Sequence, residues 1–356
     1  MQEVRERHDP EVVVDTTELS REEWLDWRKK GIGGSDVAGI LGVSPFTTAR
    51  DIYYDKLNIA PLGDNEDNWV AMEVGNRLEE LVAKIFKKKM GCKLGTLKKI
   101  MRHPKYPFMF ANLDYMVQFP DNTHAILECK STNYNARSKW FDGDTEIIPF
   151  HYELQGRHYM AVMDIDRVYF GCLYGNNENE YIIRCLDRDM EIEAELIALE
   201  EDFWNSNVLA KVPPEYTEDG DLIAESVRKH FGAADADVPE LVLAHRHGAS
   251  IAEFLELQQA KSEVDAQSRD YKARMDQIKG LIADELGTGC FASCTVDGED
   301  YAISYKPSMM ARVDKDALLR LRQNLPDVYN EYVTVTESRR FYIKPKPVES
   351  SEAVAA

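Results

Sequence analysis

Phe108-Met-Phe-Ala-Asn-Leu-Asp114-Tyr-Met-Val-Gln-Phe119, followed by Ala125-Ile-Leu-Glu128-Cys-Lys130, reads as two apolar strands that each carry charge. Carboxylates are unusual in such runs, because a buried charge must be paired or must bind a metal. Glu128 and Lys130 lie two apart, so on a strand they point to one face. Two acids and an ammonium converging on one point can hold Mg²⁺ and activate water for phosphodiester cleavage. Convergence depends on register. An even loop such as Pro120 to Thr123 pairs Asp114 with Cys129 and turns it away from Glu128. A three-residue loop, or a bulge, puts Asp114 directly opposite Glu128. Taken alone, the pattern is more often an edge strand with a surface Glu/Lys pair, so the rest of the chain must decide.

The 356 residues are enough for one large domain and a smaller one. With 44% apolar and 30% charged residues the composition is that of a soluble globular protein. There is no apolar run of transmembrane length, and the first ten residues lack a signal-peptide core, so a cytoplasmic location and no membrane contact are expected. Six cysteines (92, 129, 172, 185, 290 and 294) are scattered without C-x-x-C spacing, which points to reduced thiols and away from zinc or iron–sulfur centres. A net charge of −20 argues against coating nucleic acid by bulk electrostatics. The charge is uneven, however. Lys84, Lys87, Lys88, Lys89, Lys93, Lys98, Lys99, Arg102 and Lys105 form a run without acids, whereas Glu191 to Asp202 is purely acidic. A local basic strip on an acidic body suits an enzyme that guides a polyanion through a confined channel, and equally a solvated helix face.

Ser20 and Glu23 form a capping-box pattern for a helix to Arg28. Gly31 to Asp36 reads as a loop before a short helix from Val37 to Leu41, and Thr47 or Thr48 caps the next helix, to about Leu57. Apolar residues at helical spacing predict a long helix from about Asn68 to Met90. Strands fill roughly 94–131, a helix spans Tyr152–Met163, strands follow at Arg167–Tyr174 and Tyr181–Cys185, and an acidic helix runs from about Asp187 to Asn205. Val212-Pro-Pro214 marks a break. The expected division is a domain over 1–212, a linker over 213–248, a long helix over 249–287, a small α+β unit over 288–347 and a disordered tail over 348–356. Within the long helix Leu257, Val264, Tyr271, Met275, Ile278 and Ile282 approach heptad spacing, with Lys261 and Ser268 interrupting the seam. Asp297-Gly298 signals a hairpin, Asp314 caps a helix, and Arg339–Lys344 reads as a strand.

Other features bear on the strand pair. Arg28 precedes Gly33-Gly34-Ser35-Asp36, where backbone N–H groups, a hydroxyl and a guanidinium suit a terminal phosphate; an ordinary helix cap is the simpler reading of Ser35 or Asp36. Gly75, within a helix, suggests close packing, and Glu79 one turn later leans toward the same site or is solvated. Gln155 stands on the next helix, where it can orient a phosphate or the attacking water or simply lie on the surface. His151 and His158 lack partners at ligand spacing and read as structural.

In order along the chain stand Arg28, Ile32-Gly-Gly-Ser-Asp36, Leu41-Gly-Val-Ser-Pro45-Phe46, Gly75-x3-Glu79, Asp114, Glu128-x-Lys130 and Gln155-x2-His-Tyr159. This ordered set resembles the phage lambda exonuclease / YqaJ family of viral recombination nucleases, within the PD-(D/E)xK superfamily. The resemblance covers about 20–205. It departs from the family at Leu113, where a proline often stands, and Cys129 would need only its carbonyl. It implies an α/β (α+β) restriction-endonuclease-like core, a mixed central sheet flanked by helices, with a C-terminal helical and small α+β extension. It further implies that Asp114, Glu128 and the Cys129 carbonyl bind Mg²⁺, for which Mn²⁺ can substitute, with Glu79 at a possible second metal. Lys130 would orient or deprotonate the attacking water, Gln155 would support that geometry, and Arg28 and Ser35 would hold the 5′-phosphate. The implied activity is 5′→3′ digestion of linear double-stranded DNA to 5′-mononucleotides, leaving 3′ overhangs for a single-strand annealing protein. The implied assembly is a ring trimer, with the 84–105 strip inward, acting in the cytoplasm of a bacterial host of a phage or prophage.

Two other readings stand beside it. A PD-(D/E)xK endonuclease on branched or modified DNA has no need of an Arg28/Ser35 end grip. A catalytically inactive DNA-binding scaffold would be free to lose Asp114, Glu128 and Lys130.

Overall fold

Capping and alternation place the elements of the first unit. The computed structural model describes residues 7–60, 69–232, 235, 237–243, 247–310, 314–334 and 343, and it divides into two units between 232 and 233. The first opens with β1 (Glu11–Asp15) and α1 (Arg21–Arg28). At the start of α1 the Glu23 N–H donates to Ser20 Oγ (3.2 Å) and the Ser20 N–H donates to Glu23 Oε2 (2.8 Å), a reciprocal cap of about 1 kcal/mol. There follow β2 (Ile32–Gly33), α2 (Gly34–Ile40), α3 (Ala49–Lys56), capped by Thr48, and α4 (Trp69–Met90). Helix α2 begins earlier than Val37, because Gly33 is its cap and Asp36 accepts the Gly33 N–H at 2.9 Å.

Next come β3 (Lys93–Gly95), β4 (Lys99–Arg102), β5 (Met109–Ala111), β6 (Tyr115–Gln118) and β7 (His124–Ser131). A 3₁₀ turn (Tyr134–Trp140) and the short pair β8 (Phe141–Asp142) and β9 (Thr145–Glu146) lead into α5 (Phe150–Met163). The unit closes with β10 (Arg167–Leu173), β11 (Tyr181–Asp187), α6 (Met190–Asp202) running on into a π-helical turn (Phe203–Leu209), and α7 (Gly220–Phe231).

The central sheet has the order β11-β10-β7-β6-β3, with β10 parallel to β7 and the other pairs antiparallel. A second sheet has the order β1-β4-β5-β2. Helix α4 covers one face of the central sheet and α5 the other, which is the mixed, helix-flanked sheet expected. The pleat sorts the side chains. Ala125 and Leu127 join Phe86 and Val117 in a cluster under α4, while Ile126 joins Val168, Phe170 and Met160 under α5. Glu128 and Lys130 continue the Ile126 face and so emerge beside α5. Burying Phe86, Ile126, Leu127 and Phe170, each under 2% exposed, stabilises the fold by roughly 1.5–3 kcal/mol per side chain. Gly156 lets α5 settle onto β10, since a Cβ there would stand 2.8 Å from both Phe170 Cζ and Val168 Cγ1.

His158 is fully buried on α5 and has found a partner far along the chain. Its Nδ1 lies 2.9 Å from both Glu200 carboxylate oxygens on α6, and its Nε2 donates to the Phe110 carbonyl of β5 at 2.8 Å. Burial alone would lower its pKa, but Glu200 outweighs burial and raises it, and the ring pins α5 to both neighbours.

Three expectations change. The first unit continues past 212: Arg50 donates to the Pro214 carbonyl and stacks over Tyr216, Glu218 Oε1 accepts the Ala49 N–H, Ser226 donates to Asp51 Oδ1, and His230 stacks on Tyr54 at 3.9 Å. The segment 213–232 is therefore packed chain ending in α7, and the prolines mark a turn onto α3. Gly75 does not mark close packing either, because a Cβ there would meet only Ser131 Oγ, at an ordinary 3.7 Å. Nor does the basic run form one free strip: Lys84, Lys88 and Arg102 are paired with Glu80, Glu178 and Glu11.

The second unit contains α8 (Gly248–Leu286), the hairpin β12 (Phe291–Val296) and β13 (Glu299–Ser304), α9 (Lys315–Asn324) and α10 (Pro326–Tyr332). Asp297 and Gly298, at φ of 53° and 87°, make the expected two-residue turn, and Asp314 caps α9. The strand read at Arg339–Lys344 and the tail from 348 lie outside the described residues, apart from residue 343. All six cysteines are free. Among the described residues no helix is long and apolar enough to cross a membrane.

Candidate active site

The hairpin has the odd loop. Pairing of β6 with β7 runs Tyr115↔Leu127, Met116↔Ile126, Val117↔Ala125 and Gln118↔His124. The Phe119 N–H donates to the Thr123 carbonyl and the Asn122 N–H to the Phe119 carbonyl, both at 3.0 Å. The loop is thus Pro120-Asp121-Asn122. Pro120 presets the first turn residue, and Asn122 supplies the left-handed position at φ 65°. Asp121 Oδ1 accepts both the N–H and the hydroxyl of Thr123, which stiffens the turn. One step beyond Tyr115↔Leu127 stands Asp114, opposite Glu128.

Around that pair the polar groups interlock. Lys130 Nζ donates to Glu128 Oε1 and Gln155 Oε1, each at 2.9 Å, and lies over the Tyr152 ring at 4.4 Å. Gln155 Nε2 donates to Glu128 Oε1 (2.6 Å) and toward the Tyr159 hydroxyl (3.3 Å). Asp114 Oδ2 accepts the Cys129 N–H at 2.8 Å. Glu128 is 4% exposed, and its other oxygen, Oε2, is buried without a hydrogen-bond partner. An unpaired buried carboxylate oxygen is costly, and a cation is what would satisfy it. Burial first, then the charges of Glu128 and Glu79, push the Asp114 pKa well above the usual carboxylate range, with Lys130 and the Cys129 N–H opposing. Burial works to lower the Lys130 pKa, but Glu128 and Asp114 outweigh it and the ammonium is held protonated.

The predicted phosphate grip adjoins this cluster. Arg28 Nη2 donates to Ser35 Oγ at 2.7 Å and to Asp36 Oδ1 at 3.4 Å, and the guanidinium lies over the Trp24 ring at 5.0 Å. Ser35 is therefore not the helix cap; Asp36 takes the capping contact with Gly33. Buried Asp36 is in turn held by Lys56 at 2.6 Å, and Lys56 also donates to the Arg28 carbonyl at 3.1 Å. A cavity of about 170 Å³ is lined by Trp24, Arg28, Ser35, Asp114, Glu128 and Gln155, among others, so Arg28 and Ser35 share one space with the carboxylates. Lys130 reaches it through its bonds to Glu128 and Gln155.

Glu79 lines an adjoining cavity of about 450 Å³ with Asp114, Trp24 and Lys98. Burial, then the charge of Glu128, raises its pKa. It is not gathered tightly with the other two acids, since among the described residues no three Asp, Glu, His or Cys side chains form a ready ligand set. The Cys129 side chain packs in the cluster under α4, on the face away from Glu128. Of the basic run, Lys98 lines the Glu79 cavity, whereas Lys105 lines a separate one with His103.

Sequence reasoning assigned no role to Trp24, Lys56, Tyr152 or Tyr159. Trp24 lies one helical turn before Arg28, and Tyr152 and Tyr159 stand three before and four after Gln155, so each shares a face with a residue already singled out. Lys56 carried no local signal, because its partner Asp36 belongs to another helix. Gly34 is what lets these pieces meet: a Cβ there would stand 2.6 Å from Tyr159 Cε1 and 2.9 Å from Cζ. Gly34→Ala is expected to destabilise the protein by about 1–3 kcal/mol by forcing α2 off the buried Tyr159 ring. An unchanged urea midpoint would contradict that packing.

The model of the YqaJ-like viral recombinase domain matches residues 23–166. The YqaJ protein of Bacillus subtilis (strain 168) is 33% identical over 338 residues, covering 94% of this chain and 97% of that protein. Among solved structures, an alkaline exonuclease from Laribacter hongkongensis aligns with a TM-score of 0.42 at 16% identity, covering 58% of this chain and 98% of its own; its complex with dAMP gives 0.43 at 17%. A phage-related exonuclease from Haemophilus somnus 129PT aligns at 0.40 with 14% identity, covering 53% of this chain and 99% of its own.

Proposed function

Because the chain belongs to the YqaJ-like viral recombinase family, we propose that it is a divalent-metal-dependent nuclease that digests linear double-stranded DNA from 5′ ends, releasing 5′-mononucleotides and leaving 3′ overhangs. One observation carries this reading: a cationic end grip, Arg28 with Ser35, opens into the same cavity as the Asp114/Glu128 pair. An enzyme that cuts within a strand has no use for that grip.

The residues fit a hard divalent cation. Glu128 Oε2 lacks a partner, the Asp114 pKa is raised by burial and then by the charge of Glu128, and carboxylate and carbonyl oxygens suit such an ion. Asp114, Glu128 and the Cys129 carbonyl would hold Mg²⁺, or Mn²⁺ in its place, with Glu79 beside them for a second ion. When bound, the metal supplies a Lewis acid for the phosphoryl oxygens and the leaving 3′-oxygen.

The chain's own groups do the rest. Lys130 uses two of its three N–H donors on Glu128 and Gln155, which leaves one to orient water or a phosphoryl oxygen. Gln155 holds both Lys130 and Glu128, so it fixes their spacing. Arg28 and Ser35 present a guanidinium and a hydroxyl to a terminal phosphate, and Asp36 and Lys56 hold Arg28 in place. Tyr152 under Lys130 and buried Tyr159 wall off the site from bulk water on the α5 side.

Arg28→Ala is expected to abolish the preference for 5′-phosphate over 5′-hydroxyl ends. Losing a charged hydrogen bond, roughly 1.5–3 kcal/mol, predicts a drop of about 10–100-fold on phosphorylated ends. Equal loss on both kinds of end would count against the grip. The reading as a whole is tested with linear blunt duplex and covalently closed circular DNA, each with Mg²⁺ or EDTA. Mononucleotides are expected from the linear substrate and Mg²⁺ alone; nicked circles would favour an endonuclease, and no Mg²⁺-dependent product an inactive scaffold. We further propose that the enzyme works in the bacterial cytoplasm as a ring trimer beside a single-strand annealing protein that takes up the 3′ overhang.

A further inference from the structure

Helix α8 carries an apolar seam that is largely exposed among the described residues. The helix has 39 residues, none of them buried, and Leu257 (63% exposed), Val264 (63%) and Tyr271 (70%) stand in water with Met275 and Ile278. At 100° per residue, Leu257, Lys261, Val264, Ser268, Tyr271, Met275, Ile278 and Ile282 fall within an arc of about 100°, alternating three and four apart. A seam of this length is enough for a two-stranded coiled coil. An isolated helix with so exposed a stripe is in need of a partner.

Resting on the ring proposed above, we propose that this seam pairs antiparallel with the same helix of a second copy of the chain in another ring, since a two-fold contact cannot close among three copies. The two polar interruptions decide the direction. In a parallel pair each seam residue faces itself, so Lys261 meets Lys261 and Ser268 meets Ser268, with only the Val264 layer between them. In an antiparallel pair the layers become Leu257 with Ile282, Lys261 with Ile278, Val264 with Met275 and Ser268 with Tyr271. Every polar residue then faces a large side chain, and the Tyr271 hydroxyl lies within reach of Ser268.

Lys261 is suited to its layer. Its Nζ bonds Asp265 on its own helix at 2.8 Å, so the ammonium turns to the edge and the methylene stem covers Ile278 of the second copy. The flanking charges agree. Antiparallel pairing sets Asp265 against Lys272 twice over, by symmetry, and Gln258 against Lys279. Parallel pairing would instead set Arg274 against Lys279, two like charges.

The test uses the full chain. Under mild oxidation, L257C/I282C is expected to form a covalent dimer that the wild type does not, while L257C alone forms none, because the two Leu257 positions lie roughly 37 Å apart at 1.5 Å rise per residue. In sedimentation equilibrium, D265K is expected to weaken association by about tenfold or more and D265K/K272D to restore it. Circular dichroism of both variants checks that the helix persists. Cross-linking of L257C alone would overturn the antiparallel arrangement. An unchanged mass for D265K with no cross-link in L257C/I282C would overturn self-pairing, and capture of a single-strand annealing protein by a protein whose α8 helices do not pair would assign the seam to that partner instead.

Discussion

Asp114→Asn is expected to abolish nuclease activity while leaving the fold at least as stable as before. Losing a carboxylate proposed to hold the metal would remove several kcal/mol of transition-state stabilisation; at about 1.4 kcal/mol per tenfold, turnover falls by roughly a thousandfold or more. The stability prediction has its own sign. Burial and the charge of Glu128 raise the Asp114 pKa in the folded protein above its unfolded value, so the folded state binds the proton more tightly. Stability contributed by that proton is present at low pH and is lost as pH rises through the folded pKa, so a charged Asp114 weighs against the metal-free fold. Asparagine removes the charge and keeps an oxygen for the Cys129 N–H. Melting without divalent cations should therefore show an unchanged or higher Tm for the variant, and the rise in Tm expected for the wild type with Mg²⁺ should be absent in it. A variant that is inactive because it is unfolded would refute this account of the site's electrostatics.

His158→Ala should be strongly destabilising to the first unit. It leaves Glu200, fully buried, without its partner, and breaking a buried pair in this way costs about 3–5 kcal/mol. For a domain of this size that is roughly a 10 °C fall in Tm. The His158 pKa is raised on folding, because Glu200 outweighs burial. Its contribution is thus complete below the unfolded histidine pKa near 6.5 and is lost as pH rises through the higher folded value. Urea titrations should show the gap between wild type and variant narrowing toward alkaline pH. A gap that does not change with pH would mean that the ring acts by packing and not by charge. Replacing both partners by apolar residues, as in H158L/E200M, should recover most of the loss.

The two effects share a cause that only part of the sequence could reveal. Glu128 and Lys130 were legible as one face of a strand because the pleat has period two. Whether Asp114 joined them turned on the loop, and Pro120-Asp121-Asn122-Thr123 is compatible with both even and odd readings. What resolves it is Asn122 in the left-handed region, a conformation asparagine tolerates but does not require. The Ser20 and Thr48 caps, the long α4 and the Asp297-Gly298 turn were legible because they are local. Partners far apart in sequence were not: His158 with Glu200, Asp36 with Lys56, and the 213–232 segment with α3 are joined by the fold alone. Gly75 and Gly34 make the same point from opposite sides. Both are glycines at or within helices, yet a Cβ would be tolerated at Gly75 and would strike a buried ring at Gly34.

The Arg28/Ser35 grip is proposed to deliver a 5′ end to the Asp114/Glu128 pair. It is tested most directly by following a blunt linear duplex labelled at one 5′ end and, on the complementary strand, at the neighbouring 3′ end. With Mg²⁺, the 5′ label should appear first, as a mononucleotide, while the 3′ label stays on a lengthening single strand. Early release of the 3′ label, or simultaneous release of both, would contradict the account.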